Sequence, residues 1–265
     1  MMNSIKLGVN IDHIAVLREA RKIADPNPLD ALGILKRVGA DQITIHLRED
    51  RRHINDKDAK DIINLSPLPV NLECALSPEI IDIVTSLKPH RATLVPEKRE
   101  EVTTEGGLNI FNEQERLKEV IERLHKREIE VSLFIDPTLP NIKQAKNLGV
   151  EWIEFHTGKY ANIYAMLFGN LEKTPHSIKE LELPRKELYS MLEEEIITLS
   201  ELSQEASKIG LKVALGHGLN YQNIKDIVQR VEFVEEFNIG QSIIAHSIWV
   251  GLERAILEMK ELIKR

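Results

Sequence analysis

Residues 130–156 read EVSLFIDPTLPNIKQAKNLGVEWIEFH. A short apolar run rich in β-branched residues opens the stretch at 130–135, and another closes it at 152–156. Between them 138–148 carries a helical pattern, and Gly149 stands where that helix should stop and the next strand begin. The same alternation extends in both directions. Strands are expected at 5–10, 42–46, 69–75, 91–95, 130–135, 152–156, 211–216 and 235–239. Helical patterns fall at about 27–39, 57–66, 77–88, 111–128, 138–148, 188–209, 221–230 and 242–263. Ser77-Pro78-Glu79 offers an N-cap, a proline at the first helical position and an acid in the first turn. Gly39 and Gly210 repeat the stop signal of Gly149.

The strands read as near-continuous apolar runs, so both faces should be covered, which points to a parallel sheet. Eight strand–helix units in 265 residues match a (β/α)8 TIM barrel in a single domain, 1–265. The rival, an open doubly wound sheet, would more often place a glycine-rich phosphate fingerprint after strand 1. Here Asn10-Ile11-Asp12-His13 stands there instead. One connection is out of proportion: more than fifty residues separate His156 from Leu211. The stretch 160–185, with Pro175 and Pro184, reads as an insertion on the loop after strand 6.

Composition narrows the function classes. Net charge is −7, from 35 Lys and Arg against 42 Asp and Glu. Bulk binding of nucleic acid or an anionic membrane surface would need a basic face. Residues 170–205 hold nine of the acids against four bases, so the rest of the chain is nearly neutral and local anion sites remain open to it. No apolar run is long enough to span a membrane. The start MMNSIKLGVN is too polar for a signal sequence, so a cytoplasmic location is expected. The lone Cys74 excludes an internal disulfide and reads as a small core residue rather than a nucleophile.

In a barrel, catalytic groups gather on the rim formed by the C-terminal strand ends. Five of the nine histidines, His13, His46, His53, His156 and His217, lie at or just after such ends. So do Asn10, Asp12, Arg48, Glu73, Asp136 and Glu154. Titratable groups converging on one rim suit proton transfer. Glu73 and Glu154 sit inside apolar strands, where burial raises a carboxyl toward general-base range. The bland alternative for Glu73 is a salt bridge to an arginine on a neighbouring strand. Gly216-His217-Gly218 lets backbone approach a ligand closely. Gly240-Gln241 opens the last helix, whose first N–H groups suit a phosphate. Arg48 and His53, in a dense polar loop, suit a second anion. Thr103, Gly106 and Gly107 lie in a long loop after strand 4 that suits a lid. His46, Glu73 and His217 also suit a divalent metal, but no HxH or HExxH spacing supports one.

The segments GVNIDHIAVLREAR, ITIHLREDRRHI, NLE, LVPEKREEVTTEGGL, VSLFID, IEFHTGKYA, GHGLNYQNI and FNIGQSII resemble the pyridoxine 5′-phosphate synthase family of the deoxyxylulose-dependent vitamin B6 pathway. The resemblance spans about residues 6–262. It implies a TIM barrel assembled as a homo-octamer, a tetramer of dimers, with no cofactor and no metal. It also implies condensation of 3-amino-2-oxopropyl phosphate with 1-deoxy-D-xylulose 5-phosphate. Carried over by motif, His46 and Glu73 are proton acceptors, His217 a proton donor and Glu154 a transition-state stabiliser. Asn10, Arg21, Gly218, Gly240 and Gln241 hold the aminoketone phosphate. Asp12, His13, Arg48, His53 and Thr103 hold the deoxyxylulose phosphate. Two departures stand out: Gln241 where the pattern has histidine, and a 160–185 stretch that looks longer than the family's usual loop. The rivals left open are a metal-dependent phosphosugar epimerase or aldolase and a non-catalytic phosphometabolite-binding barrel.

Overall fold

A computed structural model describes residues 4–96 and 106–265. Nineteen strands and α-helices follow one another in it. They run β1 (Lys6–Asn10), α1 (Asp12–Arg21), α2 (Ala31–Arg37), β2 (Gln42–Leu47), α3 (Asp56–Leu65), β3 (Val70–Cys74), α4 (Pro78–Leu87), β4 (Arg91–Leu94), α5 (Gln114–His125) and β5 (Glu130–Ile135). The chain continues with α6 (Leu139–Leu148), β6 (Trp152–His156), α7 (Gly158–Phe168), α8 (Arg185–Lys208), β7 (Lys212–Gly216), α9 (Ile224–Arg230), β8 (Glu236–Ile239), α10 (Gln241–Val250) and α11 (Leu252–Leu262). The eight strands pair in chain order, all parallel, and β8 closes on β1 with Leu7 opposite Phe237. This is the expected (β/α)8 barrel, and every strand lies within two residues of its expected ends.

The strands alternate more strictly than the sequence suggested. One set of side chains, such as Ile43, Ile45 and Leu47 on β2 or Val131, Leu133 and Ile135 on β5, is buried in the apolar layer with the helices. The other set is polar and meets across the barrel interior. Thr44 Oγ1 donates to Asn238 Oδ1 at 3.2 Å, although β1 lies between their strands. Gln42 Nε2 and Arg91 Nη1 both donate to Glu236 Oε1, at 3.1 and 2.7 Å. The Arg91 guanidinium lies 3.7 Å from the Trp152 ring centre, a cation–π contact between two buried side chains. Both faces are therefore covered, as a parallel sheet requires, but the inner one is covered by hydrogen-bonded polar groups. The expectation of near-continuous apolar strands is corrected on this point.

Three helical details also differ. Helix α1 follows β1 directly and was not foreseen, because Val16 and Leu17 are exposed and blur its apolar stripe. The stretch 160–185 is partly helix: α7 occupies 158–168, and two 3-10 turns, Leu171–Lys173 and Lys179–Leu181, lead to α8. The last helix is two, because Gly251 takes φ +83° and breaks it between Val250 and Leu252. Gly39, Gly149 and Gly210 all take positive φ at helix ends, as their positions implied. Ser77 precedes Pro78 at the start of α4, but its side chain makes no capping bond.

Arg91 and Glu236 form an ion pair whose side chains are 4% and 1% exposed. Removing one partner leaves a buried charge alone. Arg91→Met should therefore lower stability by about 3–5 kcal/mol. The double variant Arg91→Met/Glu236→Gln should recover most of the loss. Denaturant unfolding of both variants checks this, and equal stability of the single variant and wild type would contradict it.

Candidate active site

The C-terminal strand ends surround a cavity of about 400 Å3. Its lining includes twelve residues singled out from sequence: Asn10, Asp12, His13, His46, Arg48, His53, Glu73, Glu154, His217, Gly218, Gly240 and Gln241. Arg21 is not among them. It ends α1, nine residues after Asp12, and a helical rise of about 1.5 Å per residue carries it about 13 Å away, exposed. Thr103 lies outside the described residues, as do 97–105 generally. Gly107 is described: its N–H donates to Asp136 Oδ1 at 2.8 Å on the rim.

One wall is built where β1 meets β2. Asn10 and Asp12 bind each other twice, Asn10 Nδ2 to Asp12 Oδ2 and Asp12 N–H to Asn10 Oδ1, both at 2.9 Å. Asp12 Oδ1 also accepts from the His46 N–H at 2.9 Å. The Asp12 carboxylate thus fixes the end of β2, from which His46 projects. His46 and Glu73 are register partners on β2 and β3, and His46 Nδ1 lies 3.9 Å from Glu73 Oε2. Among the described residues, the register neighbours of Glu73 are this histidine on β2 and Thr93 on β4.

The loop after β2 supplies Arg48 and His53. His53 Nδ1 accepts from the Ile54 N–H at 2.8 Å, so a neutral ring carries its proton on Nε2. Burial, then the charges of His46, Arg48 and His13, push His53 down to about 3. It is a neutral donor at any physiological pH. Arg18 of α1 holds this loop: it pairs with Asp58 at 2.7 and 2.8 Å and donates to the His53 carbonyl at 3.0 Å. Asp58 also closes the capping box of α3 with Asn55. The Arg48 guanidinium forks onto Asp50, with both bonds at 3.1 Å. Arg48 and Arg52 hold Asp50 far below the usual carboxylate range.

Glu154 stands deeper, 3% exposed, on β6. Its Oε2 accepts from Asn238 Nδ2 at 2.7 Å. A Cβ on Gly216 would lie 2.0 Å from its Oε1, so glycine there makes room for the carboxyl. Burial first, then the charge of Glu73, raises Glu154 to about 8. At neutral pH it is a carboxylic acid, able to donate. The opposite wall carries His217 at φ +70°, a conformation that costs a non-glycine residue about 1–3 kcal/mol. Thr157 Oγ1 ties this turn down, donating to the carbonyls of Gly216 and His217 at 2.8 and 2.6 Å. Asn223 Nδ2 holds the Gly218 carbonyl at 3.0 Å, and the buried Tyr160 hydroxyl holds the Asn223 carbonyl at 2.7 Å. Beside it, Gly240, Gln241 and Ser242 bring the N-terminus of α10 onto the cavity. A Cβ at Gly240 would meet Asn10 Cβ at 2.8 Å, so this approach also needs glycine.

Sequence reading missed Asn238, Arg18, Asp58, Thr157 and Asn223. The only local signal among them was Asn55-x-x-Asp58, a capping box beside the polar loop. Among the described residues, no three His, Cys, Asp or Glu converge as ligands of one metal would. No described helix is long and apolar enough to cross a membrane.

The model of the family "Pyridoxal phosphate biosynthesis protein PdxJ" matches residues 7–265. The chain belongs to the PdxJ family. The "Pyridoxine 5'-phosphate synthase" of Sulfurovum sp. (strain NBC37-1) is 70% identical over 257 residues, 97% of this chain and 99% of its own length. That of Aliarcobacter butzleri (strain RM4018) is 65% identical over 97% of this chain and 98% of its own. With 257 of 265 residues aligned to the Sulfurovum PdxJ relative, the 26-residue stretch 160–185 is largely shared with it. It is therefore not an addition peculiar to this chain. Among solved structures, a phosphoribosylanthranilate isomerase of Thermotoga maritima matches with TM-score 0.55 at 12% identity, covering 98% of each chain. A tryptophan synthase of Mycobacterium tuberculosis matches with TM-score 0.60 at 8% identity, covering 99% of this chain and 94% of that one. Likeness at such identity speaks for the barrel fold alone.

Glu154 sets a pH dependence whose sign follows from its raised value. The carboxyl is neutral in the fold up to about pH 8 but ionises near its ordinary 4.5 once unfolded. Its contribution to stability is complete below pH 4.5 and is lost as pH rises from there through about 8. Glu154→Gln, which cannot ionise, should escape this loss. Melting temperatures of variant and wild type should diverge in the variant's favour between pH 5 and 8. A constant difference over that range would show that Glu154 is ionised in the fold.

Proposed function

We propose that this chain condenses 3-amino-2-oxopropyl phosphate with 1-deoxy-D-xylulose 5-phosphate to give pyridoxine 5′-phosphate, phosphate and water. The observation that carries this is the convergence of twelve sequence-selected residues on one cavity in a PdxJ family member. The printed names of its relatives support the same product.

The amine of one substrate attacks the ketone of the other, so the Schiff base forms between substrates. No enzyme lysine is required, and none lines the cavity among the described residues. The N-terminus of α10, with Gly240 and Gln241, takes one phosphate through backbone N–H groups, together with Asn10 and Gly218. Gln241 keeps the backbone N–H and a side-chain donor where the family pattern has histidine. Arg48, neutral His53, His13 and Asp12 take the other substrate, with Thr103 from the segment outside the described residues. His46 and Glu73 remove protons, and His217 returns one to the departing group. Glu154, neutral at working pH, donates a hydrogen bond to oxygen that gains charge. Several proton transfers at different atoms account for the set of His46, Glu73, Glu154 and His217 in one cavity.

The reaction is placed in the cytoplasm. The family resemblance carries assembly as a homo-octamer, a tetramer of dimers. Trp249 and Ile248, 84% and 65% exposed at the end of α10, support a subunit contact there.

Incubation of purified protein with both substrates should give pyridoxine 5′-phosphate, and no product would end this reading. Glu73→Gln should lower kcat by about 10²-fold while leaving the melting temperature near wild type, the scale of a lost general base. Near-normal turnover would remove Glu73 from the mechanism.

A further inference from the structure

His156 and Asp136 belong to the rim, yet the reaction above assigns them no part. His156 ends β6 with its side chain 6% exposed. Its Nδ1 lies 3.4 Å from Asp136 Oδ1, just past the end of β5. Its ring centre lies 4.8 Å from that of His217, with the planes at 59°, and 5.3 Å from that of Phe134. Phe134 in turn stands 6.4 Å from His217. His156 Nε2 is buried with no hydrogen-bond partner among the described residues. It faces Gly158, where a Cβ would come within 2.5 Å of it.

We infer that Asp136 and His156 are positioning residues for His217, an inference that rests on the donor role assigned to His217 above. The Asp136 carboxylate faces His156 Nδ1, and glycine at 158 leaves room for the buried Nε2 on the other side of the ring. The Asp136 carboxylate beside this pair of rings favours the charge His217 must carry before giving up a proton. Together with Phe134, the His156 ring walls in the His217 imidazole. His217 itself stands at φ +70° between two glycines. Thr157 fixes the backbone of this turn, and the His156 ring fixes the side chain. Among the described residues, the titratable groups facing His156 are Asp136, just past β5, and His217 from the β7 loop, while α7 presents Gly158 without a side chain. His46, Glu73 and Glu154 share the cavity with His217. Asp136 Oδ1 also accepts from the Gly107 N–H, so the same carboxylate anchors the far end of the loop after β4.

Two readouts test this. Asp136→Asn is nearly isosteric at a half-exposed site and removes only the negative charge. In the pH profile of kcat/KM, the basic limb set by the proton donor should move to lower pH by about half a unit or more. kcat should fall about tenfold, with KM for both substrates within about twofold of wild type. His156→Ala should lower kcat further, and His156→Phe, which keeps a ring, should recover part of it. The second readout needs no turnover. The pH midpoint for modification of His217 by diethyl pyrocarbonate, followed by peptide mass spectrometry, should fall in Asp136→Asn. Unmoved limb and unmoved midpoint would overturn the inference, and so would a rise in KM at constant kcat. If wild type forms no product, the donor role fails, while the modification midpoint still decides whether Asp136 acts on His217.

Discussion

Two carboxyl groups enclosed in the barrel, Glu236 at its base and Glu154 below its mouth, constrain most of what surrounds them. A buried carboxyl is tolerated when paired or when neutral. Glu236 takes the first course, with Arg91 and Gln42 donating to it and Trp152 beneath the guanidinium. Glu154 takes the second, held protonated by burial and by the charge of Glu73. The layers between are fitted to these two. Asn238 donates to Glu154 and accepts from Thr44. Gly8 and Gly216 leave room where a Cβ would come within 2.1 Å of Asn238 Oδ1 and 2.0 Å of Glu154 Oε1.

The rim depends on this packing and adds its own restraints. His46 projects where it does because Asp12 grips its N–H. His53 presents Nε2–H because the Ile54 N–H occupies its other nitrogen. His217 holds a costly backbone conformation because Thr157 binds the carbonyls on either side. Each titratable group is thus fixed by a neighbour that does no chemistry itself. Such support is what keeps reacting atoms within the fraction of an ångström that proximity effects need.

How much of this the sequence discloses follows from the separation of the partners. The strand ends were legible because the barrel rule sends every C-terminal end to one rim, so His46, Glu73, Glu154 and His217 could be gathered from position alone. The supports were not. Arg18 finds Asp58 across 40 residues, Thr157 reaches His217 across 60, and Asn238 reaches Glu154 across 84. No window of sequence contains both members of such pairs. The polar inner face was missed for the same reason. Thr44 and Asn71 look like breaks in apolar runs until their partners are seen, Asn238 two strands away and Thr93 on the adjacent strand. Helix α1 was missed because it exposes Val16 and Leu17 around the cavity and at the surface, which defeats a search for an apolar stripe.

The net charge of −7 and a cavity for two phosphorylated substrates are compatible because the charges are separated by depth. The acid-rich stretch 170–205 belongs to the connection after β6 and to α8, and none of its residues lines the cavity. Within the cavity, Glu154 adds no negative charge near neutral pH, and Asp12 is occupied by Asn10 and the His46 N–H. Among the described residues, Glu73 remains as a negative neighbour, and an incoming anion meets Arg48 on one side and the N-terminus of α10 on the other. His53 cannot add a charge, since burial keeps it neutral. The lining thus suits phosphate through directed donors more than through excess positive charge. That is a useful property when the same cavity must hold cationic amine and imine species and then release them.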